Sequence, residues 1–411
     1  MPDAESFIAA IAANPADDLP RLVFADWLDE NGDPARAGFI RDHVRLAKLR
    51  PGTDEYKTLF RKCADTLKAN LPTWIKPACD AFGQPMEWKP VKATGGRFPI
   101  EIVRTGERIG LRAVQFDRGL IGSASLTLIP STPARGVDRL LRLHPVSELT
   151  LRSITDPDSW DRVTCERMKA VRTLHMLVVS SRSVVHRIYT SEVFAGVDRL
   201  TSLVSKDANV LCGSRMAKRL TALTVAGFPE VIAALADYPL DDKLQEFTIS
   251  PPGRDTPAVS DWSAVSRVAF RPTLKRLDLT RCGMTDDGLA AFARGEEWIR
   301  LQGLKLGGNL FGDRGWADFC RGWRTPELTY LDASRNRLTD SGADMLSRSG
   351  MLKTLRVIDL RGNRIAGRGA VALARAVAEG KLNKLLLAGN PLGKREVGMV
   401  NGLLGGRTDV G

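Results

Sequence analysis

Histidine is scarce in this chain: only His43, His144, His175 and His186 occur in 411 residues. None stands in an H-E-x-x-H helix or close in sequence to a cysteine partner, which removes the usual starting points for zinc proteases and thiol nucleophiles. The six cysteines, Cys63, Cys79, Cys165, Cys212, Cys282 and Cys320, are scattered without a C-x-x-C pair. That spacing suits neither a zinc site nor a disulfide framework, and it points to reduced thiols in a cytoplasmic protein. A G-x-S-x-G elbow is missing as well. Gly307 and Gly312 have P-loop spacing, but Asp313 and Arg314 stand where lysine and serine or threonine are needed. Long apolar runs are also lacking. Phe7–Ala13 is too short to span a bilayer, and the opening Met-Pro-Asp-Ala-Glu lacks the basic stretch of a signal peptide. Together these absences predict a chain that is not an enzyme, takes no cofactor and does not enter a membrane.

What is present is an ordinary core supply, 43% apolar residues, and a net charge of +12. The charge is uneven: residues 1–50 sum to −3, whereas residues 271–411 sum to +9. An anionic partner would find that excess in the last third.

The dominant signal is a repeat. From residue 274 the pattern L-x-x-L-x-L-x-x-(N/C)-x-L returns five times at a constant period of 27 residues. Its copies begin at Leu274, Leu301, Leu328, Leu355 and Leu382. The x-L-x-L segment predicts a short strand with alternate residues inward. At the ninth position Cys282, Asn309, Asn336, Asn363 and Asn390 enter the interior, where a buried amide must bond to the backbone of neighbouring turns. Helix starts follow at Thr285-Asp286-Asp287-Gly288, Gly312-Asp313-Arg314-Gly315 and Thr339-Asp340-Ser341-Gly342. A strand plus a helix in each unit resembles the ribonuclease-inhibitor type of leucine-rich repeat. The resemblance implies an α/β solenoid, a horseshoe with a parallel sheet on its concave face and helices outside. Worn copies lie upstream at Val146/Leu149/Leu151, Val171/Leu174/Met176, Leu220/Leu223/Val225 and Leu244/Phe247/Ile249, with a poorer one near Val197 and Leu200. Repeats are therefore expected over 120–411, degenerate over 120–270 and regular from 274.

Residues 1–70 read as a small helical bundle. Phe7, Ile8 and Ile11 mark one helix. A second, capped by Asp18, carries Leu22, Val23, Trp27 and Leu28 and stops at Asn31-Gly32. A third begins near Pro34 and a fourth covers 55–68. The run Asn14-Pro15 through Asp26-Trp27-Leu28 to Asp33-Pro34, then Phe39-Ile40-Arg41, resembles the bacterial repeat-companion domain, a family that sits ahead of repeat arrays. Phe116-Asp117-Arg118-Gly119-Leu120 and Leu143-His144-Pro145-Val146 resemble the joint between such a domain and its repeats. The acidic group Asp26, Asp29, Glu30 and Asp33 is read as balanced by Arg36 and Arg41, and Trp27 as core. Residues 71–119 form a linker and a β-hairpin turning near Thr105-Gly106, which would cap the first repeat.

The candidate working surface is the concave sheet. Its middle column runs Asp278, Lys305, Asp332, Asp359, Leu386, flanked by Arg276, Tyr330 and Lys384 on one side and by Arg281, Arg335 and Arg361 on the other. Arginine and tyrosine are enriched at protein contacts, so a protein partner is expected. The second expectation is nucleic acid or another polyanion held by the basic C-terminal repeats, with a steep dependence on salt.

Overall fold

The computed structural model describes residues 3–410 except 84–87, 91–95, 103–109, 129–131, 134, 155–156, 178–180, 203–207, 238–242, 252, 254–258, 269–270, 295–297, 323–324 and 379. The chain divides into two compact units, Met1–Thr201 and Ser202–Gly411.

The first unit opens with four helices: α1 (Ala4–Ala13), α2 (Leu19–Glu30), α3 (Pro34–Lys48) and α4 (Asp54–Ala81). Ile8, Ile11, Phe24, Ala25, Leu28, Ile40 and Val44 share one core cluster. Trp27 packs at its edge, while Val23, read as apolar facing, is 45% exposed. Asp18 does not cap α2. Its carboxylate pairs with Lys48 and Arg118, and Asp17 Oδ1 accepts the Leu19 N–H instead. Arg41 bridges Asp26 and Asp29 at 2.6 Å each, so it relieves the acidic helix end. Arg36 instead gives Asp33 its backbone N–H, at 3.0 Å, as the α3 cap. Helix α4 continues 13 residues beyond the predicted Lys68, through Pro72 and Pro77, because Leu71, Trp74, Ile75, Ala78 and Cys79 keep its buried stripe in step.

Strands β1 (Trp88–Pro90), β2 (Phe98–Ile102), β3 (Gly110–Asp117) and β4 (Leu120–Leu128) pair antiparallel. The turn expected near Thr105-Gly106 lies outside the described residues, but β2 and β3 do pair, with Phe98 opposite Phe116. The next connection is a two-residue turn whose residues, Arg118 (φ 47) and Gly119 (φ 85), are both left-handed, which suits the twist of a hairpin. This turn packs on α3. A Cβ on Gly119 would fall 2.5 Å from Ile40 Cα. The Gly119 N–H donates to His43 Nδ1 at 2.8 Å, so the other ring nitrogen carries the proton and donates to Gly96 O at 2.6 Å. Burial holds the His43 pKa below its ordinary value. From β4 the sheet turns parallel, through β5 (Glu148–Ile154) and β6 (Thr173–Met176). Strand β7 (Arg199–Ser202) lies at the limit of the unit.

In the second unit the strands are β8 (Ala222–Ala226), β9 (Glu246–Ser250), β10 (Arg276–Asp278), β11 (Gly303–Lys305), β12 (Tyr330–Asp332), β13 (Val357–Asp359), β14 (Lys384–Leu386) and β15 (Thr408–Asp409). All the pairings described among them are parallel. Leu277, Leu304, Leu331, Ile358 and Leu385 sit in register and are at most 1% exposed, as the period of 27 dictates.

Two polar ladders join the regular repeats. In the first, Asn309, Asn336, Asn363 and Asn390 each donate Nδ2–H to a carbonyl of their own turn and to one of the preceding repeat, at 2.8–3.1 Å. The Oδ1 atoms of Asn309, Asn363 and Asn390 accept the N–H of Met284, Leu338 and Ile365. Among the described residues Asn336 Oδ1 has no hydrogen-bond partner. Cys282 heads the row with a weaker thiol bond to Ile249 O at 3.3 Å. The second ladder runs along the helix starts. Asp286 Oδ1 accepts the N–H of Gly312 and Gly315, Asp313 that of Thr339, and Asp340 that of Ala366. Each carboxylate thus satisfies orphan donors of the next helix rather than of its own. Glycine is needed where the next helix approaches: a Cβ on Gly315 would lie 2.6 Å from Asp286 O.

Candidate functional site

Because successive strand residues point to opposite faces, burying the leucine row forces its neighbours onto the other side of the sheet. The register then fixes two columns of the second unit. One is Glu246, Arg276, Gly303, Tyr330, Val357, Lys384; the other is Thr248, Asp278, Lys305, Asp332, Asp359, Leu386. Neighbouring rungs stand about 4.8 Å apart.

Much of the charge in these columns is paired across strands. Arg276 Nη1 meets Glu246 Oε1 at 2.6 Å, and Lys305 Nζ meets Asp278 Oδ2 at 3.0 Å. The Asp278 bond, with Asp332 adding to it, holds the Lys305 pKa above its ordinary value. Burial raises that of the Tyr330 phenol, with Asp332 and Asp359 adding to it. The aspartates also end the strands. Asp278, Asp332 and Asp359 accept the N–H two residues on, from Thr280, Ser334 and Arg361, at 2.9–3.1 Å.

Two of the sequence expectations need correction. Asp359 is 2% exposed, because Arg361 folds back and holds both of its oxygens at 2.6–3.1 Å, so it is part of the turn rather than the surface. Arg361 does not share a column with Arg281 and Arg335. It aligns with Thr280 and Ser334, one position earlier in its repeat. The structure therefore separates the predicted residues into two groups. Arg276, Asp278, Lys305, Tyr330, Asp332 and Lys384 lie on the sheet face, whereas Arg281, Arg335 and Arg361 lie along the turns.

Of the sheet group, Arg276, Asp278, Lys305 and Tyr330 border a cleft of about 540 Å³ that Glu246, Thr248 and Gly303 also line. Gly303 makes its notch: a Cβ there would meet only Arg276 Cγ, at 3.7 Å. In this column Gly303 leaves the position between Arg276 and Tyr330 without a side chain. Glu246 and Gly303 were not singled out in the sequence, though aligning the strands in register brings both into the Arg276–Tyr330 column.

The first unit holds a constellation that sequence spacing hid. His175 Nδ1 is 2.9 Å from Thr201 Oγ1, and its Nε2 is 3.4 Å from Glu148 Oε1. Hydrogen bonding from His175 keeps the Glu148 carboxyl below its ordinary pKa. Among the described residues no group of three or more His, Cys, Asp or Glu could hold a metal ion. All six cysteines are free, and burial pushes the thiols of Cys63, Cys282 and Cys320 up to about 12 and those of Cys79 and Cys212 to about 11. Such thiols stay protonated at neutral pH and are poor nucleophiles. No described helix is long and apolar enough to cross a membrane.

Residues 272–293, 326–347 and 352–374 match the leucine-rich-repeat family model. No curated protein sequence matches the chain. Among solved structures, an internalin of Listeria monocytogenes is 16% identical, with 70% of this chain and 86% of that one covered and a TM-score of 0.38. A protein of Bacteroides fragilis is 12% identical over 80% of this chain and 95% of its own, with a TM-score of 0.37. The matched segments and the parallel register of β10–β14 agree: the chain carries leucine-rich repeats, each a strand and a helix, in an α/β repeat fold behind an N-terminal helical region.

Proposed function

We propose that this protein is a non-catalytic scaffold that binds a protein partner on the sheet face of its second unit, with the Arg276–Gly303–Tyr330 cleft at the centre. Leucine-rich repeats generally serve as protein-interaction scaffolds, and the observation that carries the local reading is the notch at Gly303. An arginine and a tyrosine flank an unfilled depression, which is the arrangement that lets a partner side chain be desolvated between anchor residues. The ion pairs Arg276–Glu246 and Lys305–Asp278 surround it with a polar, self-neutralising rim. On this reading the helices α1–α4 are a repeat-companion module of a bacterial cytoplasmic protein, as their motifs imply.

The polyanion reading is the weaker one. Part of the basic charge is already neutralised on the helix side, where Arg314, Arg321 and Arg348 pair with Asp287, Asp318 and Asp344. The sheet face itself mixes both signs, which a continuous phosphate chain would not favour.

The test is affinity capture from native lysate at two salt concentrations, with the full chain, Gly303→Arg and Arg348→Ala as parallel baits. A discrete protein retained at both salts by the full chain and Arg348→Ala, and lost by Gly303→Arg, is the expected result. The same retained set for all three baits, or nucleic acid alone at low salt, overturns the proposal.

A further inference from the structure

The turns after strands β10–β14 stack as closely as the strands do, because the backbone ladder runs on past each strand end. Arg281 N–H donates to Gly307 O at 2.8 Å, Gly308 N–H to Ser334 O at 2.7 Å, Arg335 N–H to Arg361 O at 2.7 Å and Gly362 N–H to Ala388 O at 2.9 Å. At the same position of the repeat each turn passes through a left-handed residue: Arg281, Gly308, Arg335, Gly362 and Gly389, with φ of 58, 68, 53, 66 and 74; Gly283 (φ 78) adds a second in the first turn. Glycine adopts this conformation freely and an L side chain is strained there. Three repeats use glycine, so the turn itself does not call for arginine at the other two.

Their alternation has a spatial reason. A Cβ on Gly308 would lie 2.7 Å from Arg281 Cγ, and one on Gly362 would lie 3.2 Å from Arg335 Cγ. Each arginine stem therefore lies across the bare backbone of the next turn. Both arginines are exposed. Among the described residues neither guanidinium has a hydrogen-bond or ion-pair partner, in contrast to Arg361, which Asp359 holds. With Thr280, Ser334 and Arg361 they line a groove of about 470 Å³, separate from the sheet cleft. Strained backbone that a neighbouring repeat avoids, combined with unpartnered charge in a groove, is the pattern of a binding device rather than of a fold requirement.

We propose that the Arg281–Arg335 row binds an acidic segment of a protein, laid across the turns with carboxylates on the two guanidinium groups. Two rungs of the sheet separate the arginines by about 9.6 Å. A polyproline II chain returns to the same face every third residue, about 9.3 Å on. Acidic residues three apart in such a chain match the row, and planar guanidinium suits bidentate contact with each carboxylate. Glu246, Asp278 and Asp332 on the adjoining face disfavour a continuous phosphate backbone. The inference goes beyond the sheet-face reading and does not depend on it.

The experiment is fluorescence anisotropy with the full chain and a labelled peptide of repeated Glu-Pro-Pro, beside a Gln-Pro-Pro peptide and an oligothymidylate of equal length. Two double variants are compared: Arg281→Gly with Arg335→Gly, and Arg337→Ala with Arg364→Ala. Arg337 and Arg364 are exposed in the same turns but do not line the groove, so they control for net charge. The acidic peptide is expected to bind the wild-type chain and the Arg337/Arg364 variant alike, and to lose about tenfold in affinity with the Arg281/Arg335 variant. Glycine relieves the left-handed strain while loosening the unfolded chain, so that variant keeps its Tm within about 2 °C. The proposal is overturned if the two variants lose equally, if the Gln-Pro-Pro peptide or oligothymidylate binds as well, or if no acidic peptide binds. A large drop in Tm for the glycine variant would also overturn it, by showing the arginines to be covers for the next turn. Because Gly303 is intact in every variant, failure here leaves the sheet-face proposal to its own test.

Discussion

Residues 274–411 and the unit Met1–Thr201 reach the same strand-based architecture by different means. In the regular repeats two polar devices are used again and again. Each asparagine bonds its own turn and the one before, and each first-turn aspartate serves the next helix. Among its described residues the first unit has no such row. Its contacts occur once each: His43 clamps the Arg118–Gly119 turn to α3, and Arg167 joins Glu5 to Asp138 across elements far apart in sequence. Repetition makes a contact recognisable from sequence, whereas a single-use contact gives no period to recognise. It also sets where the molecule is most easily damaged. A defect in a reused device disturbs two repeats, while a defect in a clamp disturbs one joint.

The largest expected effect is steric. Gly315→Ala places a methyl group against the Asp286 backbone and should destabilise the regular repeats by about 3 kcal/mol in chemical denaturation, since backbone cannot yield as a side chain does. Asn363→Ala should cost about 2 kcal/mol, because it leaves the Leu338 N–H unpaired in a buried row and removes one of the two side-chain donors to Ala333 O and to Leu360 O. An unchanged denaturation midpoint for Asn363→Ala would show that the row is ornament and that the leucines alone set the period.

Acid should act on the first unit. All four histidines lie there, and burial lowers the pKa of His43 and, further, of His144, which Arg36 also opposes. The unfolded chain binds these protons more readily, so stability from the neutral rings is complete above about pH 6.5 and is lost as pH falls through the lowered folded values. Hydrogen exchange from pH 7 to 5 should show protection falling around the Gly119 turn before it falls in β10–β14. Simultaneous loss in both regions would remove the histidines as the cause. The smallest effect is a gain: Gly38→Ala meets nothing within 4 Å on α3, and helix propensity predicts about 0.5–1 kcal/mol of added stability.

How much was legible follows from this contrast. Leu274 to Leu392 could be read directly because five positions keep step, and so could the inward asparagines. The worn strands at Leu149, Leu174, Leu223 and Phe247 were found from their spacing alone, and all are buried. Helix α4 runs past Lys68 although Pro72 and Pro77 are local stop signals, because its buried stripe continues through Leu71, Trp74, Ile75, Ala78 and Cys79. The aspartate ladder was missed because Asp286 reads as a cap for its own helix, and nothing local shows that its oxygen faces the next. Asp359 looked outward by alternation, and only the return of Arg361 hides it. His43 has its partners 53 and 76 residues away, a distance no periodicity bridges.

The central claim is that the sheet side chains of the second unit, rather than the outer helices, meet the partner. Footprinting of surface lysine and tyrosine side chains, with and without the protein captured at both salts, tests it most directly. Protection of Lys305 and Tyr330, with Lys394, exposed on the helix Lys394–Leu404, unaffected, is the result this account predicts. Lys305 and Tyr330 labelled equally in both states, with protection elsewhere, would contradict it.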